Sequence, residues 1–422
     1  MSRYQPLVVT LVCAIQFRIS LQLLLAQTCP FAIPRRSPMG AWYKRLVCTI
    51  TGTIHLFVPE GIPVNYRLKT TQLRRALASL EQRRQIFDNL PLDPQHAEWF
   101  RQRAWIRTIH GTTRIEGNSL NALEVEDLVT GAQSRFPRKE ALEVLGTTKA
   151  LSFVDEVADD KRIKADEPLL RHIHKLVLDD IDPMLTPGEY RKGPNTVADA
   201  QGNVIFTTPP SGDVPNLMRE FGVWLRKGAD GHPAPIAAAL AHLELVAIHP
   251  FYDGNGRTAR ALARLFLLRL GYALGGLVSL DAYLDQDRRT YFQAIKDSNR
   301  AKYSPPYDAT PFVRYFIESI TGAADYVLSR TKGLTMVLAV LRRDVIDGRL
   351  PGRVQDGLVY AWINGSLRPA DYVRITGRTK QSASRDLAAA VAAGHLLATG
   401  TTRSRRYRLG PRLAKIGPVA VI

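Results

Sequence analysis

Residues 249–260 (HPFYDGNGRTAR) lie between two stretches that predict helices. Residues 235–248 are almost entirely apolar and have the length of a buried helix. Residues 258–270 are dominated by Ala, Leu and Arg and predict a second helix, which Gly271 ends. The segment is therefore the turn that joins a helix pair.

The turn has the composition of an anion-binding site. Gly254 and Gly256 allow backbone conformations that other residues avoid, so amide N–H groups can face an anion at the positive end of the next helix. Arg257 and Arg260 are three residues apart and share one helical face, where two guanidinium groups can bind a polyphosphate. Asp253 is placed to hold Mg²⁺ against the same phosphates. The turn predicts a nucleotide-phosphate site.

Each of these elements also has an ordinary structural interpretation. A histidine before a proline commonly marks a helix end, and Asp-Gly or Asn-Gly pairs commonly form turns. Their combination in one turn with two arginines favours the nucleotide site. His242, inside the apolar helix, has no polar partner in the sequence pattern, and we interpret it as a core or interface histidine without a functional role.

The turn resembles the signature HPFxDGNGRxxR of Fic-domain proteins, whose members transfer the AMP part of ATP to a protein hydroxyl. Residues 191–218 resemble the family's flap, in which residues 203–207 (NVIFT) predict a short strand before two prolines. Residues 112–117 (TTRIEG) match the family motif (S/T)xxxE(G/N), at the spacing of the class whose inhibitory helix precedes the core. The resemblance covers about residues 68–321.

The resemblance implies a protein adenylyltransferase that uses ATP and Mg²⁺. His249 would accept the proton of a target Ser, Thr or Tyr hydroxyl, on another protein or on the chain itself, and Asp253 would bind the metal. Arg257 would hold the β-phosphate of ATP and Arg260 the γ-phosphate. The implied ATP-binding residues are Gly254, Asn255, Gly256, Arg257, Thr258, Ala259, Arg260, Tyr291, Phe292 and Asn299.

Within that set, residues 254–256 would stabilise charge on the α-phosphate, while Tyr291 and Asn299 match positions beside the adenine and ribose. The related Doc kinases carry a lysine where this chain has Gly256. This difference argues against phosphoryl transfer as the reaction.

Glu116 supplies the regulation that the resemblance implies. Its carboxylate would pair with Arg260 and keep the enzyme inactive at rest. The same carboxylate could orient a water that removes AMP from a modified hydroxyl, so AMP transfer and AMP hydrolysis both stay open. From spacing alone, Glu116 is an ordinary helix-end residue before a turn at Gly117 and Asn118.

The flap has two interpretations. Val204, Ile205 and Phe206 form a β-prone run to which a target segment could add by main-chain hydrogen bonds. The alternative is a hairpin that covers the core.

The chain as a whole predicts a mainly α fold: a Fic helical core with a β-hairpin flap, plus a C-terminal winged helix domain. We assign residues 1–66 to an N-terminal leader, 67–165 to a helical region with the inhibitory motif, 166–325 to the catalytic core and 326–422 to the winged helix-turn-helix. Besides the helices around the turn, predicted helices span residues 71–90, 94–109, 122–130, 138–158, 167–178, 213–227 and 311–340.

The C-terminal segment concentrates positive charge. Residues 368–412 hold ten Lys or Arg against two Asp, a net charge of +8, in a chain of net charge +18. Helices at 369–376 and 380–393, a turn at Gly377 and a hairpin at 396–409 give an order that resembles a winged helix, with a recognition helix from Thr379 and a wing at 403–408. The segment would serve DNA binding, homodimerisation or target docking. A competing function is a DNA-associated regulator that uses the core as a nucleotide sensor.

The N-terminal segment does not read as a membrane anchor. Residues 7–26 are mostly apolar, but Gln16, Arg18 and Gln22 interrupt them. Three cysteines within the first 48 residues indicate neither a disulfide framework nor a zinc site. We expect translation to begin at Met39 or later, and a cytoplasmic enzyme with access to ATP and no stable membrane partner.

Overall fold

The computed structural model describes residues 66–131, 136–198, 201–227, 231–401 and 405–416. The predicted leader, including Met39 and the cysteines, and Arg403 of the predicted wing lie outside the described residues. Within the described ranges the protein is mainly helical, which confirms the predicted fold class. None of the helices in those ranges is long and apolar enough to cross a lipid bilayer.

The described residues form fifteen α-helices and seven short strands. The helices are α1 Arg74–Asp88, α2 Pro94–Ile115, α3 Ala122–Val129, α4 Arg138–Ala158, α5 Glu167–Val177, α6 Val214–Lys227, α7 Ala234–Ile248, α8 Asn255–Arg269, α9 Leu280–Gln286, α10 Arg288–Asn299, α11 Thr310–Ile346, α12 Gln355–Asn364, α13 Pro369–Thr376, α14 Lys380–Ala392 and α15 Pro411–Ala414. The strands are β1 Tyr66–Arg67, β2 Thr196–Ala198, β3 Val204–Thr207, β4 Tyr307–Asp308, β5 Ser366–Leu367, β6 Leu396–Thr399 and β7 Arg406–Leu409.

The strands form three small sheets. β1 pairs in parallel with β4, and β2 pairs antiparallel with β3 as a hairpin whose register shifts between Val197 and Ala198. The third sheet is antiparallel, with strand order β5-β7-β6.

The core is built around α7 and α8. Every residue of α7 except Val246 is buried, because the helix is apolar on all sides and its many alanines allow close approach of its neighbours. α8 packs along α7, α4 and α5 pack on α8, and α11 packs on α7. The turn between α7 and α8 is therefore anchored by two helices that are themselves held in the core.

α2 is longer than the sequence predicts. It continues beyond residue 109 through Gly111 to Ile115. A Cβ at Gly111 would lie 2.6 Å from the backbone nitrogen of Ala282, so this glycine allows α2 and α9 to approach closely. The glycine therefore serves packing, and the extra turns carry the inhibitory motif to the end of the helix.

Four helices were not predicted, and α8 and α11 have different ends from those predicted. α9, α10, α12 and the short α15 are absent from the predicted set, and α8 begins at Asn255, three residues before the predicted start. α12 contains Gly357 and several β-prone residues, so its sequence does not predict a helix. The Tyr372 ring occupies the space where a Cβ of Gly357 would lie. α11 runs without interruption from Thr310 to Ile346, so the boundary predicted between residues 325 and 326 falls inside a helix.

The elements predicted for residues 369–409 are present. α13, the left-handed turn at Gly377, α14 and the hairpin β6–β7 follow in that order, and β5 adds a third strand. Residues 355–416, which we call the C-terminal unit, pack on α2 through α12, where the Trp99 and Tyr360 rings meet edge to face at 5.5 Å. The winged helix-turn-helix assignment stays a prediction.

Candidate active site

Two left-handed residues shape the turn between α7 and α8. His249 ends α7 at φ 50° and ψ 57°, and Gly254 precedes α8 at φ 75°. A left-handed backbone is uncommon for a residue other than glycine and is often found at functional sites. No side chain caps the N-terminus of α8. Its first N–H groups, which have no partners within the helix, are therefore available to an anion.

The Asn255 side chain braces this turn from inside. Its Oδ1 accepts from the backbone nitrogen of Phe251 at 3.0 Å, and its Nδ2 donates to the Phe251 carbonyl at 2.9 Å. The side chain is therefore occupied within the turn. The backbone N–H of Asn255, in the first turn of α8, is the donor that could serve the predicted contact with a phosphate.

Two further braces were missed by sequence reasoning. His174 of α5 stacks on the Phe251 ring at 3.5 Å, accepts from the nitrogen of Gly188 through Nδ1 at 2.9 Å and contacts the Asp253 carbonyl through Nε2 at 2.9 Å. Because Nδ1 accepts, Nε2 carries the proton and donates. Arg191, also buried, donates to the His249 carbonyl at 2.9 Å and to the Pro209 carbonyl at 2.6 Å. These side chains come from distant segments, so no local pattern marks them.

The geometry of His249 suits a general base. Its Nδ1 lies 3.3 Å from the carbonyl oxygen of Val246. A carbonyl oxygen can only accept, so this contact holds the proton on Nδ1 and leaves the lone pair on Nε2. Burial lowers the pKa of His249 below its ordinary value. The ring is therefore a neutral base at neutral pH.

Arg257 has the unsatisfied donors of a phosphate-binding group. It is 3% exposed, and its Nη2 lies 3.4 Å from Oδ2 of Asp253. Its Nε and Nη1 are buried without a hydrogen-bond partner in the described part of the chain. Buried donors of a charged group are costly to leave unpaired, so a bound anion would stabilise this arrangement.

Asp253 lies at the open side of the turn. Its side chain is 45% exposed, and its Oδ1 accepts from the nitrogen of Gly254 at 2.6 Å. Among residues 66–416 as far as they are described, no group of three or more His, Cys, Asp or Glu side chains is placed to hold a metal. A metal at this turn would therefore depend on Asp253 together with oxygens of a ligand.

Arg260 is fully engaged by other side chains. It is 4% exposed; its Nε donates to Thr112 Oγ1 at 2.7 Å, and its Nη2 donates to the Thr112 carbonyl and to Glu116 Oε1, each at 2.8 Å. Asp281 of α9 lies 3.4 Å from the Nε. Glu116 is the residue that follows α2, so the length of that helix sets where its carboxylate lies.

Gly256 leaves the space that Glu116 occupies. A Cβ at this position would collide with Oε1 of Glu116 and lie 3.2 Å from Nη1 of Arg260. The structure thus brings Glu116, Arg260, Gly256 and the first turn of α8 together, as the sequence motif predicts.

Tyr291, which the resemblance implies beside the adenine and ribose, contacts side chains of α7 and α8. The hydroxyl of Tyr291 lies 2.8 Å from Nε2 of His242 and 3.5 Å from Nη1 of Arg260. His242 is fully buried, which agrees with its interpretation as a core histidine, and Tyr291 is the polar partner that the sequence pattern does not reveal. Burial lowers the pKa of His242 to about 3.

The other expected nucleotide contacts divide into buried and exposed residues. Thr258 and Ala259 are fully buried, and Ala259 belongs to the apolar core, so its side chain is not a ligand contact. Asn299 is 4% exposed with an unpartnered Oδ1, whereas Phe292 is 46% exposed.

The flap hairpin lies beside the turn. Asn195, next to β2, donates through Nδ2 to the Phe251 carbonyl at 3.1 Å. Along β3, Val204 is exposed, Ile205 is half-buried and Phe206 is buried. The edge of β3 away from β2 is contacted at Thr207, whose nitrogen donates to the Ala301 carbonyl at 2.9 Å.

Comparisons with known proteins agree with this site. Residues 164–267 match the Fic/DOC family. The chain is 28% identical over 284 residues to protein adenylyltransferase Fic of Drosophila mojavensis, covering 67% of this chain and 53% of that protein. It is 26% identical over 294 residues to the protein of the same name from Aedes aegypti, covering 68% and 55%. The chain thus spans about half the length of these curated relatives.

Solved structures share the fold. A Fic family protein from Desulfovibrio desulfuricans G20 superposes with a TM-score of 0.51 at 22% identity, covering 81% of this chain and 95% of that chain. A Fic-1 fragment from C. elegans superposes with a TM-score of 0.53 at 22% identity, covering 71% and 79%. Residues 164–267 thus match the Fic/DOC family, and the chain shares the fold of these two solved structures.

Proposed function

We propose that the chain is a protein adenylyltransferase that moves AMP from ATP to a Ser, Thr or Tyr hydroxyl of a target protein or of itself, and that Glu116 holds it inactive. One observation carries the proposal: buried, unpartnered donors of Arg257 lie at the uncapped N-terminus of α8, in the same turn as a histidine with a free Nε2. Because this activity consumes ATP, we propose a cytoplasmic location for the protein.

The reaction follows from these groups. The target hydroxyl oxygen forms a bond to the α-phosphorus of ATP while the bond from that phosphorus to the bridging oxygen breaks, and pyrophosphate leaves. His249 Nε2 takes the hydroxyl proton, which the neutral ring can accept at neutral pH. The N–H groups of Asn255, Gly256 and Arg257 stabilise the charge that develops on the α-phosphate.

Asp253 would hold the Mg²⁺ that accompanies ATP. Its exposed carboxylate at the edge of the phosphate-binding turn fits a metal that is bound by one or two carboxylates and by substrate phosphates. When bound, the metal would neutralise phosphate charge and orient the polyphosphate. Arg257 would then turn its free donors to the β-phosphate.

Inhibition by Glu116 would act on the third phosphate. Arg260 contacts the end of α2, and both N–H donors of its Nη2 are used by Thr112 and Glu116. A γ-phosphate needs the same donors, so ATP would bind without its productive orientation. Release of Glu116 would return Arg260 to the nucleotide.

The flap would position the target. The hairpin joins the turn through Asn195, next to β2. The exposed Val204 and half-buried Ile205 of β3 offer a strand to which an extended target segment could add. Main-chain pairing would bring a hydroxyl to His249 without demanding one target sequence.

A second candidate activity is removal of AMP from a modified hydroxyl. One observation favours it: only Oε1 of Glu116 bonds to Arg260, and within the described residues Oε2 has no hydrogen-bond partner. This oxygen could orient a water toward the α-phosphorus. Incubation of AMP-modified protein with the parent chain and with Glu116→Gln would separate the two, since only hydrolysis requires the carboxylate.

For the C-terminal unit we propose contact with duplex DNA. Lys380 and Arg385 are exposed on α14, and no carboxylate lies within 4.0 Å of either among the described residues. The test is a salt titration of duplex binding by the full chain. Replacing both by alanine should reduce the slope of log K against log salt by about two. Absence of binding by the parent would leave dimerisation or target docking as the role of this unit.

The transfer reaction itself is tested with two labels. ATP labelled on the α-phosphate should label Glu116→Gly protein, and ATP labelled on the γ-phosphate should not. Glu116→Gly/His249→Ala is the matched control and should stay unlabelled. Label from the γ-phosphate would instead show phosphoryl transfer and contradict the proposal.

A further inference from the structure

A cavity of about 180 Å³ lies beside α2. Its walls come from α2, α9, α11 and the C-terminal unit. Three arginines line it, Arg103 and Arg107 from α2 and Arg330 from α11, and we call it the arginine cavity. No Asp or Glu is among the lining residues.

Two of the three guanidinium groups are held flat by aromatic rings. Arg107 lies 4.5 Å from the ring centre of Tyr326, and Arg330 lies 3.8 Å from that of Trp362. Arg330 also donates to the Trp362 carbonyl at 2.6 Å. These contacts fix the orientation of the two groups and leave their charge uncompensated.

Arg103 has no such partner. Within the described part of the chain, no carboxylate lies within 4.0 Å of its guanidinium, and Glu126 acts on it only from farther away. Burial and the charge of Arg107 lower the pKa of Arg103. A cationic group that is desolvated beside like charges is destabilised, and an anion at the same place would remove that cost.

The remaining walls are largely apolar. Phe100, Leu277 and Val327 line the cavity on the side of the core, and Ile363 and Leu409 line it on the side of the C-terminal unit. Three cationic side chains among such apolar neighbours are typical of sites for small organic ligands with one charged group.

We propose that the arginine cavity binds a small organic anion. Its carboxylate or phosphate group would face Arg103, Arg107 and Arg330, and its apolar body would contact the Phe100 side. Guanidinium groups bind both kinds of anion through paired N–H donors, so the charged group is the shared feature of the ligand.

The position of the cavity gives the ligand a consequence, which rests on the proposed function. Arg103 and Arg107 lie on the helix that ends at Glu116, and Thr108 of the same helix donates to Ser279 Oγ at 2.9 Å beside the cavity. A ligand that joins α2 to α11 and the C-terminal unit would hold α2, and with it Glu116, in the inhibitory position.

Binding is tested by calorimetry on the full chain, with phenyl phosphate as the probe and inorganic phosphate and phenol as comparisons. Arg103→Met keeps the apolar stem and removes the charge, and it should weaken phenyl phosphate at least about tenfold. Arg101→Met, an exposed arginine of the same helix outside the cavity, should leave the affinity unchanged. Arg257→Met should keep the binding that depends on Arg103, because Arg257 belongs to the separate nucleotide site. Inorganic phosphate and phenol should each bind more weakly than phenyl phosphate.

Three results would overturn the proposal: no binding of phenyl phosphate at about 10 mM, equal affinity in Arg103→Met and the parent, or loss of binding in Arg257→Met alone. A melting curve shows whether Arg103→Met folds. If it does not, Arg103→Lys, which keeps the charge, replaces it and should bind phenyl phosphate more weakly than the parent. Undiminished or absent binding in a folded Arg103→Lys protein would contradict the proposed guanidinium contact. These outcomes concern binding only, so they stand apart from the test of AMP transfer.

Discussion

Arginine is abundant in two regions of this molecule, and the two regions use it differently. At the turn between α7 and α8, Arg257 keeps two unpartnered buried nitrogens, and Arg260 bonds to the one carboxylate that the sequence marks as inhibitory. In the C-terminal unit, most arginines are neutralised by carboxylates of the fold. The pairs are Arg378 with Asp386, Arg368 with Asp371 and Asp127, Arg374 with Asp371, Arg406 with Glu126 and Asp127, and Arg412 with Asp344.

The comparison teaches that formal charge alone does not locate a ligand site. The C-terminal segment has a net charge of +8, yet Arg406 of its predicted wing contacts α3, the helix that follows the inhibitory motif in the chain. It is therefore not free to contact a DNA phosphate. The partners of each guanidinium indicate its role. Guanidinium groups paired with carboxylates join parts of the fold, and those with unpaired N–H donors are candidates for binding a ligand.

The largest effect is expected at the proposed base. His249→Ala, made in the Glu116→Gly background, should lower AMP transfer about 10²–10⁴-fold, because the hydroxyl loses its proton acceptor. ATP affinity should change little, since the imidazole faces the hydroxyl. Steady-state kinetics and calorimetry give the two values, and unchanged transfer would remove His249 from the mechanism.

The two kinds of arginine are compared directly by ATP binding. In the Glu116→Gly background, Arg257→Ala should weaken ATP by about 1.5–3 kcal/mol, the usual value of hydrogen bonds to a charged group. Arg412→Ala, which breaks a pair in the C-terminal unit, should leave ATP affinity unchanged. An equal loss of ATP affinity in the two variants would contradict the proposed difference between the two regions.

The paired arginines of the C-terminal unit should contribute to the free energy of unfolding. Arg406→Ala leaves Asp127 and Glu126 partly buried without this partner and should lower the free energy of unfolding by about 1–3 kcal/mol. Arg405→Ala, one residue away and without an ion pair among the described residues, should change it by less than about 0.5 kcal/mol. Urea titrations of both variants make the comparison. A loss in Arg405→Ala as large as in Arg406→Ala would argue against the contact with α3.

A buried brace of the turn should make the stability of the protein depend on pH. Burial lowers the pKa of His174 to about 4, so the unfolded chain takes up a proton near pH 6.5 while the folded chain does not. Stability should therefore fall as pH decreases from 6.5 to about 4, by about 1.4 kcal/mol per pH unit for this residue. His174→Gln should flatten that slope. A slope that is identical in the variant and the parent would show that His174 does not titrate in this way.

The sequence allows the site to be predicted wherever it is local. The turn, the helix pair and the position of Glu116 at a helix end all follow from contiguous residues and their spacing. Motif spacing also brings Glu116 to Arg260, although 144 residues separate them, because the resemblance supplies that contact.

The parts that sequence could not supply depend on contacts between distant segments. The partner of His242 is Tyr291, and the brace of the turn is His174, and neither pairing leaves a periodic signal. Gly111 looks like a helix end, but it serves the close packing of α2 on α9. Polar partners and close approaches of this kind become visible only when the helices are assembled.

The most direct test of the central claim is the intact mass of the protein after incubation with ATP and Mg²⁺, for the parent, Glu116→Gly and Glu116→Gly/Arg260→Ala. If Glu116 withholds Arg260 from the nucleotide, the parent should stay largely unmodified, Glu116→Gly should gain the mass of at least one AMP, and the double variant should lose most of that gain. No greater AMP incorporation by Glu116→Gly than by the parent would contradict the account.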